Sequence, residues 1–237
     1  MRSLRKHTFD AVLLAVAVLC FVLMLIASND PVPESLRNTP VHAFLKQFTT
    51  GNQIVFDLAV GVLAAIFMYY LVVRVPEESK RRRVRDSLRS TYESCKEVCT
   101  AIYLGCFMPS YPADLPRALS DMTRFREFFK EDFSSGQTKW DAVANGLTED
   151  RLRALVVELE LLMQEIHFAL TSVDVRDPNA LRFLKHLSRA LYRSKNWSTD
   201  YDSTKSLLGF LWSFHTGWSW VDGYRPTDPV ADMIAAI

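Results

Sequence analysis

Two oily stretches near the amino terminus give way to a long portion in which apolar residues return every three or four positions. The first stretch runs from Ala11 to Ala27 with neither charge nor proline, and the second, from Ile54 to Val73, is interrupted only by Asp57. Crossing a hydrocarbon core of about 30 Å takes roughly 20 apolar helical residues, so both are read as spans, the first near the lower limit. A cleaved signal peptide behind Arg2, Arg5 and Lys6 is the second reading of the first stretch. Its apolar part is long for that role, and "IASNDP" makes a mediocre cleavage site.

Beyond Val73 the pattern is helical. Pro76 followed by Glu77 and Glu78 predicts a helix start, with acids facing the positive end of the dipole. Val84, Leu88, Tyr92, Cys95, Cys99, Ile102 and Cys106 then share one face. Leu115, Leu119, Met122, Phe125 and Phe129 form a second stripe. Leu152, Leu155, Val156, Leu159, Met163, Ile166 and Leu170 form a third that starts near Thr148. Asp177 and Pro178 open a fourth helix carrying Leu181, Leu184, Leu187 and Leu191, and a fifth is expected from about Ser203 to Trp220. No β alternation of useful length and no internal repeat appear. The expected fold is all-α: a two-helix transmembrane hairpin followed by a cytoplasmic α-helical bundle. In residues, this is a cytoplasmic N-terminus over 1–10, spans over 11–27 and 54–73, an external loop over 28–53, and a helical domain over 74–237.

Charge adds the orientation. The 237-residue chain has 28 Lys and Arg against 27 Asp and Glu; six of the basic and four of the acidic residues precede Val75, which leaves 22 and 23 after it. The long portion is therefore balanced, and the basic cluster Arg74, Lys80, Arg81, Arg82, Arg83 and Arg85 is a local feature. Cationic flanks stay on the cytoplasmic side, so Arg2, Arg5 and Lys6 before the first span and this cluster after the second place both termini in the cytoplasm. Arg37 and Lys46 are all that the intervening loop carries. The cluster is read as an anchor against anionic headgroups. Nucleic-acid binding ranks second for it, because no aromatic residues are interleaved for base stacking and no binding module is evident. "NWS" at Asn196 matches a glycosylation acceptor but falls on the cytoplasmic side.

Within the spans, Gly61 and Ala65, like Ala11 and Ala15, have the small-xxx-small spacing that lets helix backbones approach closely. Packing within the hairpin accounts for them, and packing between copies is the sharper alternative. Asp57 falls in the first turn of the second span, where headgroup water and the helix dipole can satisfy it; its alternative role is to line a pore or relay protons. The last predicted helix, "SLLGFLWSFHTGWSW", reads first as a core helix and second as a docking face, in which Trp212, Trp218 and Trp220, with Tyr224 beyond them, would meet a partner.

Catalytic signatures are missing. The chain has no GxxxxGK[ST], GxGxxG, GxSxG or HExxH. Glu158, Glu160 and Glu165 read as a solvated face, and His167, His186 and His215 fall on different helices. The cysteines at helix-face spacing read as reduced thiols in a core, since no second thiol pair or nearby histidine completes a metal set. No enzyme, cofactor or metal is expected.

A two-span hairpin, a compact cytoplasmic helical domain and almost nothing outside resemble the two-transmembrane effectors of bacterial anti-phage systems, such as those attached to retrons or to cyclic-nucleotide signalling. The likeness is one of architecture over the whole chain, without a diagnostic motif, so no functional residues carry over. It implies an inner-membrane toxic element held silent by a partner through the cytoplasmic domain and released on infection. Expected partners are membrane lipid, a cytoplasmic protein or ribonucleoprotein, and further copies of the chain; direct binding of nucleic acid is not expected. A membrane-tethered adaptor is the second reading, and a helical enzyme without local motifs the third.

Overall fold

The computed structural model describes residues 2–27, 53–134, 136–193, 200–219 and 221–237, with the side chains of 2–10 and 201 outside the description. The chain divides into two compact units, Met1–Lys80 and Arg81–Ile237. It is overwhelmingly helical, in line with the all-α expectation. The loop expected over 28–53, with Arg37 and Lys46, lies almost wholly outside the described residues, as does Asn196.

In the first unit, α1 (Arg2–Ala27) packs against α2 (Gln53–Tyr69). No glycine or proline interrupts residues 2–10, and the helix accordingly starts well before the expected span. Leu13, Val16, Ala17, Cys20, Met24 and Ala27 form the less exposed face of α1, and Val55, Phe56, Ala59, Val62, Leu63 and Ile66 that of α2. Both sets follow the i, i+3, i+4, i+7 spacing of one helix face. The opposite faces leave large apolar side chains uncovered, such as Leu14 at 67 % and Leu58 at 69 % exposure.

A π turn, Tyr70–Arg74, joins α2 to α3 (Val75–Phe107), and the whole run Gln53–Phe107 is long and apolar enough to cross a membrane. Ala11–Ala27 is a shorter apolar helix. The new helix expected at Pro76 is instead a continuation. Pro76 lacks the N–H of a regular turn and its ring crowds the preceding carbonyls, and the wider π turn just before it accommodates both defects.

The second unit is a bundle around α3. After α3 come α4 (Leu115–Ala118), α5 (Met122–Lys130), α6 (Lys139–Gly146), α7 (Glu149–Ser172), α8 (Pro178–Arg193), α9 (Tyr201–Thr216) and α10 (Pro229–Ala235). Two short antiparallel hairpins punctuate them: β1 (Asp132–Ser134) with β2 (Gln137–Thr138), and β3 (Trp218–Ser219) with β4 (Gly223–Tyr224). Leu88, Tyr103, Leu104, Phe125, Phe129, Leu155, Leu159, Leu184 and Leu191 are fully buried in one core, so the stripes read from the sequence do face inward.

Helix ends explain the departures from the expected elements. The single stripe from Leu115 to Phe129 is cut in two because Asp121 caps a new helix, accepting from the Thr123 and Arg124 backbone N–H groups. The unforeseen α6 opens on a capping box between Thr138 and Asp141. The fifth predicted helix stops at Thr216 rather than Trp220, because Gly217 takes up a left-handed φ of 62°. Trp220 itself lies outside the described residues.

Candidate functional site

Three regions bear on function, and the first is the outer surface of the apolar unit. The most buried residues of α1 and α2 are Cys20, Ala27 and Ala59, at 8, 2 and 3 % exposed. The positions marked by small-residue spacing are elsewhere: Ala11, Ala15, Gly61 and Ala65 are all exposed, and nothing lies within 4 Å of where a Gly61 Cβ would stand. Packing within the pair therefore does not account for them. The reason is angular: at 100° per residue, Gly61 and Ala65 fall away from the face centred on Ala59. Asp57 shares their outward line, and the Gln53 side-chain amide donates to its Oδ1 at 3.0 Å.

The basic cluster is the second region, and it splits. Arg82 and Arg83 are exposed, Lys80 is exposed, and Arg85 and Arg74 are half-exposed. Arg81 is not part of any such surface: it is 4 % exposed, and its Nη2 donates to the Asp174 backbone carbonyl at 3.0 Å. Its place on α3, three residues before Val84 and seven before Leu88, puts it on the inward face. It fastens the connection between α7 and α8 to α3.

The third region is the carboxyl-terminal tail with the aromatic helix beneath it. Asp228 accepts from Tyr92 Oη at 2.9 and 2.8 Å and pairs with Lys96 Nζ at 3.0 Å, while its Oδ1 caps α10 through Val230 and Ala231 N–H. Val230, Ile234 and Ile237 are buried in the core, so the tail docks on its own bundle. The Lys96–Asp228 pair leaves little trace in the sequence. Its only signals are a lysine four residues after Tyr92 on an apolar face and an aspartate just before Pro229.

Trp212 is half-buried and packs against the aromatic core. Its ring lies 5.2 Å from Trp140 and 6.1 Å from Phe125. Trp218 is half-buried and helps line a groove of about 250 Å³ with Phe183, Leu187, Phe210, Phe214 and Val230. Tyr224 stands between Arg126 and Lys130, each cation 4.6 Å from its ring centre.

Tyr92, Tyr103, Cys99 and His215 are held neutral in the interior. Burial, then the Asp228 charge, pushes Tyr92 well above its ordinary range, and burial does the same for Tyr103. A hydrogen bond with Cys95, then burial, pushes up Cys99. Burial, with Lys96 nearby, holds His215 well below the ordinary histidine value. The His215 ring stacks on Phe125 at 4.6 Å with its Nε2 3.3 Å from Tyr103 Oη, and its Nδ1 has no partner among the described residues. All four cysteines are unpaired thiols.

The three histidines do not converge. His215 meets Tyr103, His186 is exposed, and His167 Nε2 lies 2.6 Å from Ser188 Oγ. That last pair resembles a nucleophile and its base, but Ser188 is buried in the middle of α8, where neighbouring N–H groups are committed to the helix and none is left for an oxyanion. Among the described residues no three His, Cys, Asp or Glu side chains are placed to hold a metal ion. No family model matches the chain, and no curated protein and no solved structure matches it.

Proposed function

We propose that this chain is a two-pass protein of a bacterial inner membrane, with both termini cytoplasmic, whose spans assemble with further copies and breach the membrane once a partner releases the bundle. The observation that carries this reading is the outward line Asp57, Gly61 and Ala65 on α2, with room at Gly61 for another helix to approach closely. Lipid tails give helices no hydrophobic reason to associate, so small residues and polar groups are what favour contact between copies. An acid on such a line would face the assembly and not the lipid, as intramembrane carboxylates do. Orientation follows the excess of Lys and Arg before the first span and after the second. The likeness to anti-phage effectors adds the logic of control: a partner, protein or ribonucleoprotein, that binds only the resting bundle shifts the population away from assembly.

Inducible expression with a reading of membrane potential tests this. Full-length chain should depolarise cells, and Gly61→Leu or Ala65→Leu should abolish depolarisation while the protein still fractionates with membrane. Unchanged depolarisation in both variants removes the mechanism.

An adaptor is the second reading, favoured by Val157, Leu161 and Phe168, which form an exposed apolar line on α7 beside a groove lined by Ser90, Ser94 and Glu158. Under it the spans are passive tethers. An unrelated hairpin in their place would then preserve function, whereas the effector reading requires its loss.

A further inference from the structure

A row of unpartnered cations lies on the exposed side of α8. Arg182, Lys185, Arg189 and Arg193 recur at i, i+3, i+7 and i+11, which places them in one row about 16 Å long on the outer side of the helix. All four are exposed. None has an ion pair or hydrogen bond among the described residues, and α8 contains no Asp or Glu. Several other cations of the bundle are paired: Arg89 with Glu93, Arg153 with Glu149, Lys139 with Glu131 and Arg225 with Asp222. Arg82, Arg83, Arg117 and Arg124 are exposed and unpaired among the described residues, but they form no such row on one helix. Tyr192 stands beside the row with 61 % of its surface exposed.

We propose that this face of α8 binds the phosphate backbone of a single-stranded nucleic acid, with Tyr192 offering a stacking surface for a base. A row of unpaired cations is complementary to a chain of phosphates, and strand-binding surfaces combine such a rail with aromatic side chains. The cluster around Lys80 lacks this combination. A lipid surface fits α8 less well, because a helix that lies on a bilayer buries its apolar face there. The apolar face of α8 is already spent: Ala180, Leu184, Leu187 and Leu191 are buried in the core. This inference stands whether the spans breach the membrane or only tether the bundle.

The test is fluorescence anisotropy of a labelled single-stranded RNA of mixed sequence against the full chain in nanodiscs of zwitterionic lipid, over a series of salt concentrations. Neutralising four phosphates predicts a slope of log affinity against log salt of about −3. Arg182→Glu with Arg189→Glu should weaken binding at least tenfold and flatten that slope, and Tyr192→Ala should weaken it by roughly tenfold through lost stacking. Arg153→Glu, at a paired cation on α7, should leave binding unchanged. These side chains are exposed, so an unchanged thermal midpoint checks that each variant is folded. The proposal is overturned if RNA does not bind at low salt. It also fails if Arg82→Glu with Arg83→Glu costs as much as the α8 variant. A third adverse outcome is that the α8 variant loses binding to phosphatidylglycerol vesicles while RNA binding is unaffected.

Discussion

The apolar unit and the bundle use similar side chains in opposite ways. On α1 and α2, Leu14 and Leu58 point outward, and the protein covers little more than Cys20, Ala27 and Ala59. In the bundle, Leu155, Leu159 and Leu184 are fully enclosed, and large apolar side chains reach the surface only in places, as at Val157, Leu161 and Phe168. A soluble protein seldom leaves so continuous an apolar surface uncovered, because water drives such surfaces together. Under the proposed two-pass reading, the contrast means that the two units answer to different solvents. It also separates what can be learned from each: stability from the bundle's interior, assembly from the apolar unit's exterior.

The contrast is sharpened most by removing a ring from the interior. Phe125 stacks on His215 and lies 4.4 Å from Phe129 and 5.9 Å from Trp140, so Phe125→Ala leaves a cavity that rigid neighbours cannot close. The expected loss is about 3–5 kcal/mol, read by denaturant unfolding of the full chain in detergent through tryptophan fluorescence. Next comes the tail. Asp228→Ala strands Lys96, which is nearly buried, and deletes the cap of α10, for an expected loss of about 3 kcal/mol. Adding Lys96→Met should recover much of it, since the cost is chiefly an unpaired buried charge. If the double variant is no better than the single one, the pair does not hold the tail.

How much of this was legible follows from the kind of signal each feature leaves. The stripes on α3, α7 and α8 show in sequence because a long amphipathic helix repeats its pattern many times. The short α6 repeats nothing, and the cut before Met122 depends on one capping aspartate within an apolar rhythm that runs straight through it. Arg81 looks like its neighbours Arg82 and Arg83; only its phase relative to Val84 and Leu88 tells it apart. Small-residue spacing at Gly61 and Ala65 says that something can come close, but it does not say what. The Lys96–Asp228 pair joins residues far apart in the chain, and no local pattern reports it.

A smaller effect comes from pH. His215 is buried neutral with its pKa held low, while in the unfolded chain it titrates near 6.5. Above about pH 6.5 both states are neutral and His215 adds no pH dependence. Below it the unfolded chain takes up a proton that the folded chain refuses, so stability falls with falling pH by up to about 1.4 kcal/mol per unit. Unfolding midpoints of the full chain between about pH 7 and pH 5 should decline accordingly. His215→Gln, which keeps a polar group beside Tyr103 without titrating, should flatten that decline.

The smallest expected effect tests the contrast itself. Leu155→Ala in the bundle should cost about 2–5 kcal/mol, as a buried leucine does. Leu14→Ala on the outer face of α1 should cost under about 0.5 kcal/mol in nanodiscs, because the side chain leaves lipid for lipid and opens no cavity in the protein. The two variants differ in what surrounds the leucine, protein at Leu155 and lipid at Leu14, so unfolding curves recorded under identical conditions compare the two settings directly. Should Leu14→Ala prove as costly as Leu155→Ala, protein and not lipid covers that face. A second copy packed on α1 would then be the simplest cover, and the loss should disappear on dilution into excess lipid, where copies separate.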